Sequence, residues 1–347
     1  MQKITIIGWS SGFWEWLAKF INKSFSKKVE ITITWRNIET LEKVSKNINC
    51  KYSTNNIDSV KDADITIFAV PIWNTAEIIK NVAPHLKEWS VVLDVTSIKK
   101  APSEAMKKYS PKSVLVIPTH PMFWPYISTI AWQIFVLTAD QSNRNDKRYI
   151  FLKNFLEKSD AKVIETSSIE HDKMMAVVQW LTHFDMFVLW ETLRKLELDI
   201  EKSMNFISPI YKIMISSVAR YLNQNPKLYS DIQIHNQEVL EVHKVFMETT
   251  NTFNNYVKNK DEVNFIKTVN KSSEYFWKQA EIWQKYTDKI IYMLWKQVEK
   301  AHKKIWKIIS IQNIYNEEKI EWILEKIVDN NLYIKWYKYD IDTWEIN

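Results

Sequence analysis

The sequence predicts an α/β chain: a doubly wound, mostly parallel sheet first, then an all-α region, then a short β-rich tail. Three observations predict it. Apolar runs rich in Ile, Val and Thr alternate with helical stretches up to about residue 167. Helical periodicity without a convincing strand then fills 169–304. Residues 305–347 return to short alternating runs such as KIISIQNI, KIEWILEKI and NLYIKWYKY. Strands that alternate with helices imply βαβ units and a parallel sheet.

Each element can be justified in turn. Residues 3–8 (KITIIG) read as the first strand and 13–22 as a helix. A second strand over 29–34 (VEITIT) precedes a charged helix over 38–47. Residues 64–70 (DITIFAV) and 91–95 (VVLDV) are mostly apolar, interrupted by Asp64, Thr66 and Asp94, which fits strands buried on both faces. A helix over 75–86 separates them, and further strands are expected at 114–117, 134–138 and 162–165. The dipeptides Ser208-Pro209 and Asn225-Pro226 punctuate the helical region. The expected domains are a dinucleotide-binding one over 1–167, a helical one over 168–304, and a tail of antiparallel strands over 305–347.

Composition excludes several function classes. A chain of 347 residues with 46% hydrophobic and 25% charged residues has the balance of a soluble globular protein. The net charge of +6 comes from lysines spread along helices, with no basic tract, so no nucleic-acid partner is expected. Cys50 is the only cysteine, which rules out an internal disulfide and fits a reducing compartment. The longest apolar stretch, 65–72, is too short to span a bilayer. The first residues, MQKITIIG, enter a strand without a signal-peptide pattern, so the expected location is cytoplasmic and no membrane contact is foreseen.

The first strand runs into Gly8, Trp9, Ser10, Ser11, Gly12, Phe13 and Trp14, then a helix. A glycine turn at this place lets backbone amides and a helix N-terminus approach a dinucleotide pyrophosphate. The surviving G-x-x-x-G spacing is weak alone, because an ordinary strand–helix turn has the same form. Val70 and Pro71, at the end of the strand over 64–70, join the cofactor candidates. The segment DVTSIK leaves the strand at 91–95, and PTHPMFWP leaves the next one. Ligands bind at such C-terminal strand ends in open α/β sheets. A lone loop histidine is usually structural. A serine and a histidine on neighbouring strand ends beside a nucleotide turn are a stronger sign.

These segments resemble prephenate dehydrogenases, which carry a D-x-x-S-x-K segment, an H-P-M-x-G segment, and then a histidine and an arginine in a helical domain. This chain shows DVTSIK, THPMFWP, VVQWLTHF at 177–184 and ARYLNQNPKLYSDI at 219–232, in that order. The resemblance covers essentially residues 1–300. It implies a Rossmann-like first domain, a homodimer formed through the helical domain, NAD or NADP as cofactor and prephenate as substrate. It also implies oxidative decarboxylation to 4-hydroxyphenylpyruvate in tyrosine biosynthesis. By the same resemblance, His120 is the catalytic base for the ring hydroxyl and Ser97 its hydrogen-bonding neighbour. Arg220 grips a substrate carboxylate, and His183 is a second pocket histidine; an ordinary core histidine is the alternative for His183. A base acting as a neutral imidazole gives a rate that rises with pH through an ionisation near that of histidine. Strand two ends without a carboxylate, and Arg36 there suits the 2′-phosphate of NADP. His171, His235 and His243 lack metal-ligand spacing and read as helix-coating residues, so no metal is expected.

The 2 glycines and 17 tryptophans are abnormal, since average usage of about 7% would give roughly two dozen glycines. Trp9, Trp14, Trp124 and Trp180 stand where the family carries glycine. Trp35, Trp89, Trp336 and Trp344 fall at apparent chain reversals, whereas Trp16 matches a family aromatic. Glycine encoded by UGA and written as tryptophan explains the pattern. If Trp9 and Trp14 are literal, their indoles would fill the pyrophosphate site, and a catalytically dead, dimeric binding protein becomes the better reading. Arogenate dehydrogenase, with the same chemistry on an amino-bearing substrate, is the nearer alternative.

Overall fold

The structure is a computed structural model. It describes all residues except 9–11, 26, 27, 124–126, 315–317, 329, 330, 336, 342 and 347, and the side chains of 278 and 294. In chain order, the first half comprises β1 (Gln2–Ile7), α1 (Phe13–Phe25), β2 (Val29–Thr34), α2 (Ile38–Ile48), β3 (Lys51–Ser53), α3 (Asn56–Val60), β4 (Ile65–Phe68) and α4 (Ile72–Val82). Next come β5 (Val91–Asp94), α5 (Lys100–Tyr109), β6 (Leu115–Pro121), β7 (Ile134–Leu137), α6 (Lys147–Lys158) and β8 (Lys162–Glu165). The helical run is α7 (Ser168–Met175), a π-helical turn (Ala176–Leu181), α8 (Thr182–Lys195), α9 (Ile200–Ser203), α10 (Pro209–Leu222), α11 (Pro226–His235), α12 (Val239–Asn259) and α13 (Glu262–His302). The tail holds β9 (Ile308–Asn313), β10 (Lys319–Val328), β11 (Asn331–Ile334), β12 (Tyr337–Asp340) and β13 (Trp344–Ile346).

Strands β1–β8 form one sheet in the order β3-β2-β1-β4-β5-β6-β7-β8. Every pairing is parallel except β6 with β7. The two-residue period of a strand divides its apolar residues between two cores. Ile6, Ile67, Leu93 and Ile117 face one core, with Leu17 of α1 and Leu156 of α6. Their chain neighbours Ile7, Phe68, Val92 and Val116 face the other, with Ile79 of α4 and Met106 of α5. Helix α2 starts where the Asn37 side chain accepts the Thr40 N–H and ends at Asn49, which adopts φ 56°. The short, largely exposed edge strand β3 is an addition to the expected set. Its sequence, KYS, has no apolar alternation to announce it.

The chain forms two compact units, Met1–Glu248 and Thr249–Asn347. Divisions near 167 and 304 were expected; by their contacts, α7 to α11 pack with the sheet in the first unit. One reason is local: Ile72, Ile98 and Ile232 share an apolar cluster, and Asp172 bonds the start of α5. The second unit holds the end of α12, α13 and an antiparallel sheet ordered β12-β11-β10-β9-β13. Its core collects Ala301, Ile309, Ile311, Leu324, Leu332 and Trp344.

The tryptophans divide by environment. Trp89, Trp132 and Trp306 have φ of 61°, 64° and 64° and are at least 72% exposed. Trp14 and Trp180 are instead core residues, the latter stacked on Phe184. Trp344, expected at a hairpin turn, lies in β13, packed edge-on to Tyr339. Burial of its indole completes the small sheet's core, which a turn position would not do. Trp16 packs with Phe13, Phe20 and Phe123 and donates its indole N–H to the Ile127 carbonyl at 2.9 Å. Trp35 follows β2, with the Arg36 guanidinium 5.3 Å from its ring. Trp9, Trp124 and Trp336 lie outside the described residues. Among the described residues, no helix is long and apolar enough to cross a membrane.

Candidate active site

The sheet order reverses beside β1, whose neighbours are β2 and β4. Crevices outside strand ends at such a switch point are where α/β sheets bind ligands. Gly8 ends β1 with φ 96°, and a Cβ there would come within 2.0 Å of Val70 Cγ1, so no side chain fits. Gly12 has φ 79° with open space around its absent Cβ, directly before α1. This strand–turn–helix geometry fits a dinucleotide. Ser10 and Ser11, with Trp9, lie outside the described residues.

A cleft of about 230 Å³ opens in the first unit at these strand ends. Phe13, Val70, Pro71, Ser97 and His120 line it from the sheet side. Gln179, His183, Tyr221 and Tyr229 line it from the helical side. Two of the expected cofactor residues do not reach it: Trp14 is buried under α1 in the core, and Arg36 is exposed beyond β2. The expectation that a literal Trp14 indole would fill the pyrophosphate site therefore does not hold. The amphipathic spacing of Trp14, Leu17, Ala18 and Ile21 turns that indole toward the sheet.

His120 is 3% exposed at the end of β6. Its Nδ1 lies 2.9 Å from His171 Nε2, and its Nε2 lies 3.5 Å from the Gln179 amide nitrogen. Among the described hydrogen bonds, the expected one to Ser97 is not present; Ser97 shares the cleft without bonding the imidazole. His171 Nδ1 in turn lies 2.7 Å from Asp172 Oδ1. Burial, reinforced by the charges of His171 and Lys99, pushes the His120 pKa well below the ordinary histidine value. The imidazole is thus a neutral acceptor without help from high pH.

Beneath it lies a buried ionic network that the sequence motif DVTSIK encodes. Lys99 and Asp94 pair with no exposure of either side chain. Lys99 Nζ also donates to the Thr119 carbonyl at 2.6 Å, tying α5 to the strand that carries His120. Thr96 donates its backbone N–H to Asp94 at 3.1 Å and shapes the loop that presents Ser97. Burial lowers the Lys99 pKa and the Asp94 charge opposes that shift.

His183 meets Tyr221 and Tyr229 edge-on, and burial pushes its pKa down to about 4. Among the described residues, its Nδ1 and the Gln179 Oε1 are buried without a protein partner, and both residues line the cleft. Two polar atoms left open there fit a polar ligand. Arg220 is exposed in the last turn of α10 and does not line the cleft. The adjacent Tyr221 does, and the Arg220 charge acts on Tyr229.

Sequence reasoning passed over His171, Asp172 and Gln179, which the structure gathers at His120. The adjacent His-Asp pair at the start of the helical region was the available signal. His235 and His243 lie away from His120: His235 faces Asp231 at 3.7 Å, and His243 packs on Trp180. Among the described residues, no cluster of His, Cys, Asp or Glu could hold a metal.

Comparison with known proteins agrees with this geometry. Residues 17–165 match the family described as prephenate dehydrogenase, nucleotide-binding domain. Residues 167–271 match prephenate dehydrogenase, dimerization domain. A probable arogenate/prephenate dehydrogenase of Methanocaldococcus jannaschii is 38% identical over 330 residues, 95% of this chain and 73% of that protein. The T-protein of Haemophilus influenzae is 31% identical over 63% of this chain, which spans only 57% of its length. In fold, the chain is similar to a crystal structure of prephenate dehydrogenase from A. aeolicus in complex with hydroxyphenyl propionate and NAD+. That likeness has a TM-score of 0.62 at 22% identity and covers 80% of this chain and 98% of that one. With a nucleotide-fold sheet, a buried histidine at its cleft, two family matches that together span residues 17–271 and a relative matching along 95% of its length, the chain belongs to the prephenate/arogenate dehydrogenase family.

Proposed function

We propose that the chain is a prephenate dehydrogenase that oxidises and decarboxylates prephenate to 4-hydroxyphenylpyruvate. The observation that carries the reading is His120, a buried neutral imidazole whose Nε2 faces the cleft beside a nucleotide turn. A bound nicotinamide dinucleotide, held by Gly8, Gly12, Val70 and Pro71, would supply the hydride acceptor. His120 Nε2 accepts the ring hydroxyl proton, so the developing carbonyl oxygen need not carry full charge. Gln179 and His183 offer their open polar atoms to the substrate, and Phe13, Phe123 and Tyr229 keep water from the ring. Arogenate is the second reading; the name of the M. jannaschii relative carries both substrates.

Arg36 favours NADP, because a guanidinium pairs with a 2′-phosphate and no carboxylate stands at the end of β2 to bind a ribose hydroxyl. Arg220, one residue from the cleft-lining Tyr221, is assigned to a substrate carboxylate. The proposed homodimer forms through the helical region. Helix α13 exposes Tyr275, Phe276, Trp277 and Trp283, each at least 55%, more apolar surface than a solitary helix face normally leaves in water. Sedimentation at twice 41.5 kDa supports the dimer, and a monomer would contradict it.

Initial rates with prephenate and arogenate, each with NAD and NADP, test the proposal. Prephenate with NADP is expected to give the highest kcat/KM. Arg220→Ala should weaken prephenate binding, by about 2–5 kcal/mol where substrate binding desolvates the pair, and leave dinucleotide affinity unchanged. A preference for NAD that survives Arg36→Ala removes the NADP assignment.

A further inference from the structure

His120 can act as a base at Nε2 only if its own proton sits on Nδ1, and a free imidazole in water does not hold that tautomer by itself. The surroundings of His120 decide the question by donor and acceptor counting. Asp172 Oδ1 accepts the Lys99 N–H at 2.7 Å, and Oδ2 accepts the Lys100 N–H at 2.9 Å. These two groups open α5, so the carboxylate is pinned at a helix N-terminus, where negative charge is favoured. With both oxygens already accepting, His171 Nδ1 must donate across its 2.7 Å contact. The neutral His171 ring then presents a lone pair at Nε2. Facing it at 2.9 Å, His120 Nδ1 must donate.

We propose that Asp172 and His171 are positioning residues that fix the His120 proton on Nδ1 and leave Nε2 as the free lone pair facing the cleft. This rests on the reading of His120 as the base. Each member of the chain is buried, His171 at 2% and Asp172 at 4% exposed, so water does not compete for the bonds. Asn236 reinforces the arrangement by donating to the Asp172 carbonyl at 2.8 Å. A Gln179 amide N–H toward His120 Nε2 is consistent with a lone pair there. When Nε2 takes the substrate proton, the Nδ1–H bond to His171 remains and the ring need not turn. The rotation that would misalign base and substrate is thereby blocked.

Nitrogen-15 spectra of histidine-labelled protein read the tautomer without substrate. Wild type is expected to show His120 protonated at Nδ1. His171→Leu should abolish that preference and lower kcat about 10- to 100-fold, the range seen for partners that orient metal-bound histidines. KM for prephenate should stay within about threefold, because no substrate contact is lost. His171→Gln, whose amide oxygen can accept the same N–H, should recover most of the rate. Wild-type His120 protonated at Nε2, or a folded His171→Leu with wild-type kcat and tautomer, would overturn the proposal. If His171→Leu does not fold, the wild-type spectrum still decides. Absence of turnover by wild type on either substrate would overturn the functional reading alone, leaving the spectrum to judge the positioning pair.

Discussion

His120→Asn is expected to keep the fold and prephenate affinity while lowering kcat by roughly 10²–10⁴, the usual worth of a positioned acid–base group. The asparagine amide fills much of the ring volume and can still bond His171, so the β6 end should hold its shape. What it lacks is a basic nitrogen at the Nε2 position. Far-ultraviolet circular dichroism and substrate titration check the first half of the expectation, and steady-state kinetics the second. The pH dependence follows from the same residue. A base must be deprotonated, so kcat/KM rises with pH through the His120 ionisation. Burial and the neighbouring His171 and Lys99 hold that ionisation well below the ordinary value. The acid limb therefore lies below the pH of about 6.5 typical of histidine, and the rate is level above it. This revises the expectation of an ordinary histidine titration. A limb centred above pH 7, or wild-type turnover by the Asn variant, would remove His120 from the mechanism.

Peptides from protein of the native source are expected to carry glycine at positions 89, 132 and 306. Three of the eight described non-glycine residues with positive φ are tryptophan. With 17 tryptophans among 347 residues, chance would put fewer than one there. The left-handed region costs a side-chain-bearing residue about 1–2 kcal/mol, and a bulky ring is a true outlier in it. Glycine gives back part of that gain through its greater unfolded-state entropy, about 0.4–1 kcal/mol. Changing Trp132 alone to glycine should thus stabilise by roughly 1 kcal/mol, or about 2–4 °C in Tm for a unit of this size. Nothing packed is lost, since that indole is 88% exposed. Glycine is expected also at 9, 14 and 124, where the family resemblance places it, and the glycine-bearing protein should bind dinucleotide better. Peptide sequencing that finds tryptophan at 89, 132 and 306 would end the recoding account.

The legible and illegible parts of this molecule differ for physical reasons. Strands such as β1, β4 and β5 were readable because their centres, Ile4–Ile7, Thr66–Phe68 and Val91–Leu93, are buried and apolar or β-branched. The loop carrying Ser97 and the β6 end carrying His120 were readable because chemistry concentrates at strand ends. Lys99 was visible only as a motif letter; its burial against Asp94 needed the fold. His171 was read as a helix-coating residue because the bonds it makes, to His120 and through Asp172 to α5, cross 51 to 73 positions of sequence. No local pattern records such a contact. Helical periodicity likewise said that 169–304 is helical, but not that its first helices close the cleft over the sheet. Trp344 was misplaced because its neighbours, Asp and Thr, look like turn residues while the indole itself completes a core.

Oxidation and decarboxylation are proposed to occur together at the His120 cleft. Protein from the native source, given prephenate and oxidised nicotinamide nucleotide, should form reduced nucleotide and carbon dioxide in equal amounts, with 4-hydroxyphenylpyruvate as the product. Reduction of nucleotide without release of carbon dioxide, or no reduction with either prephenate or arogenate, would contradict it.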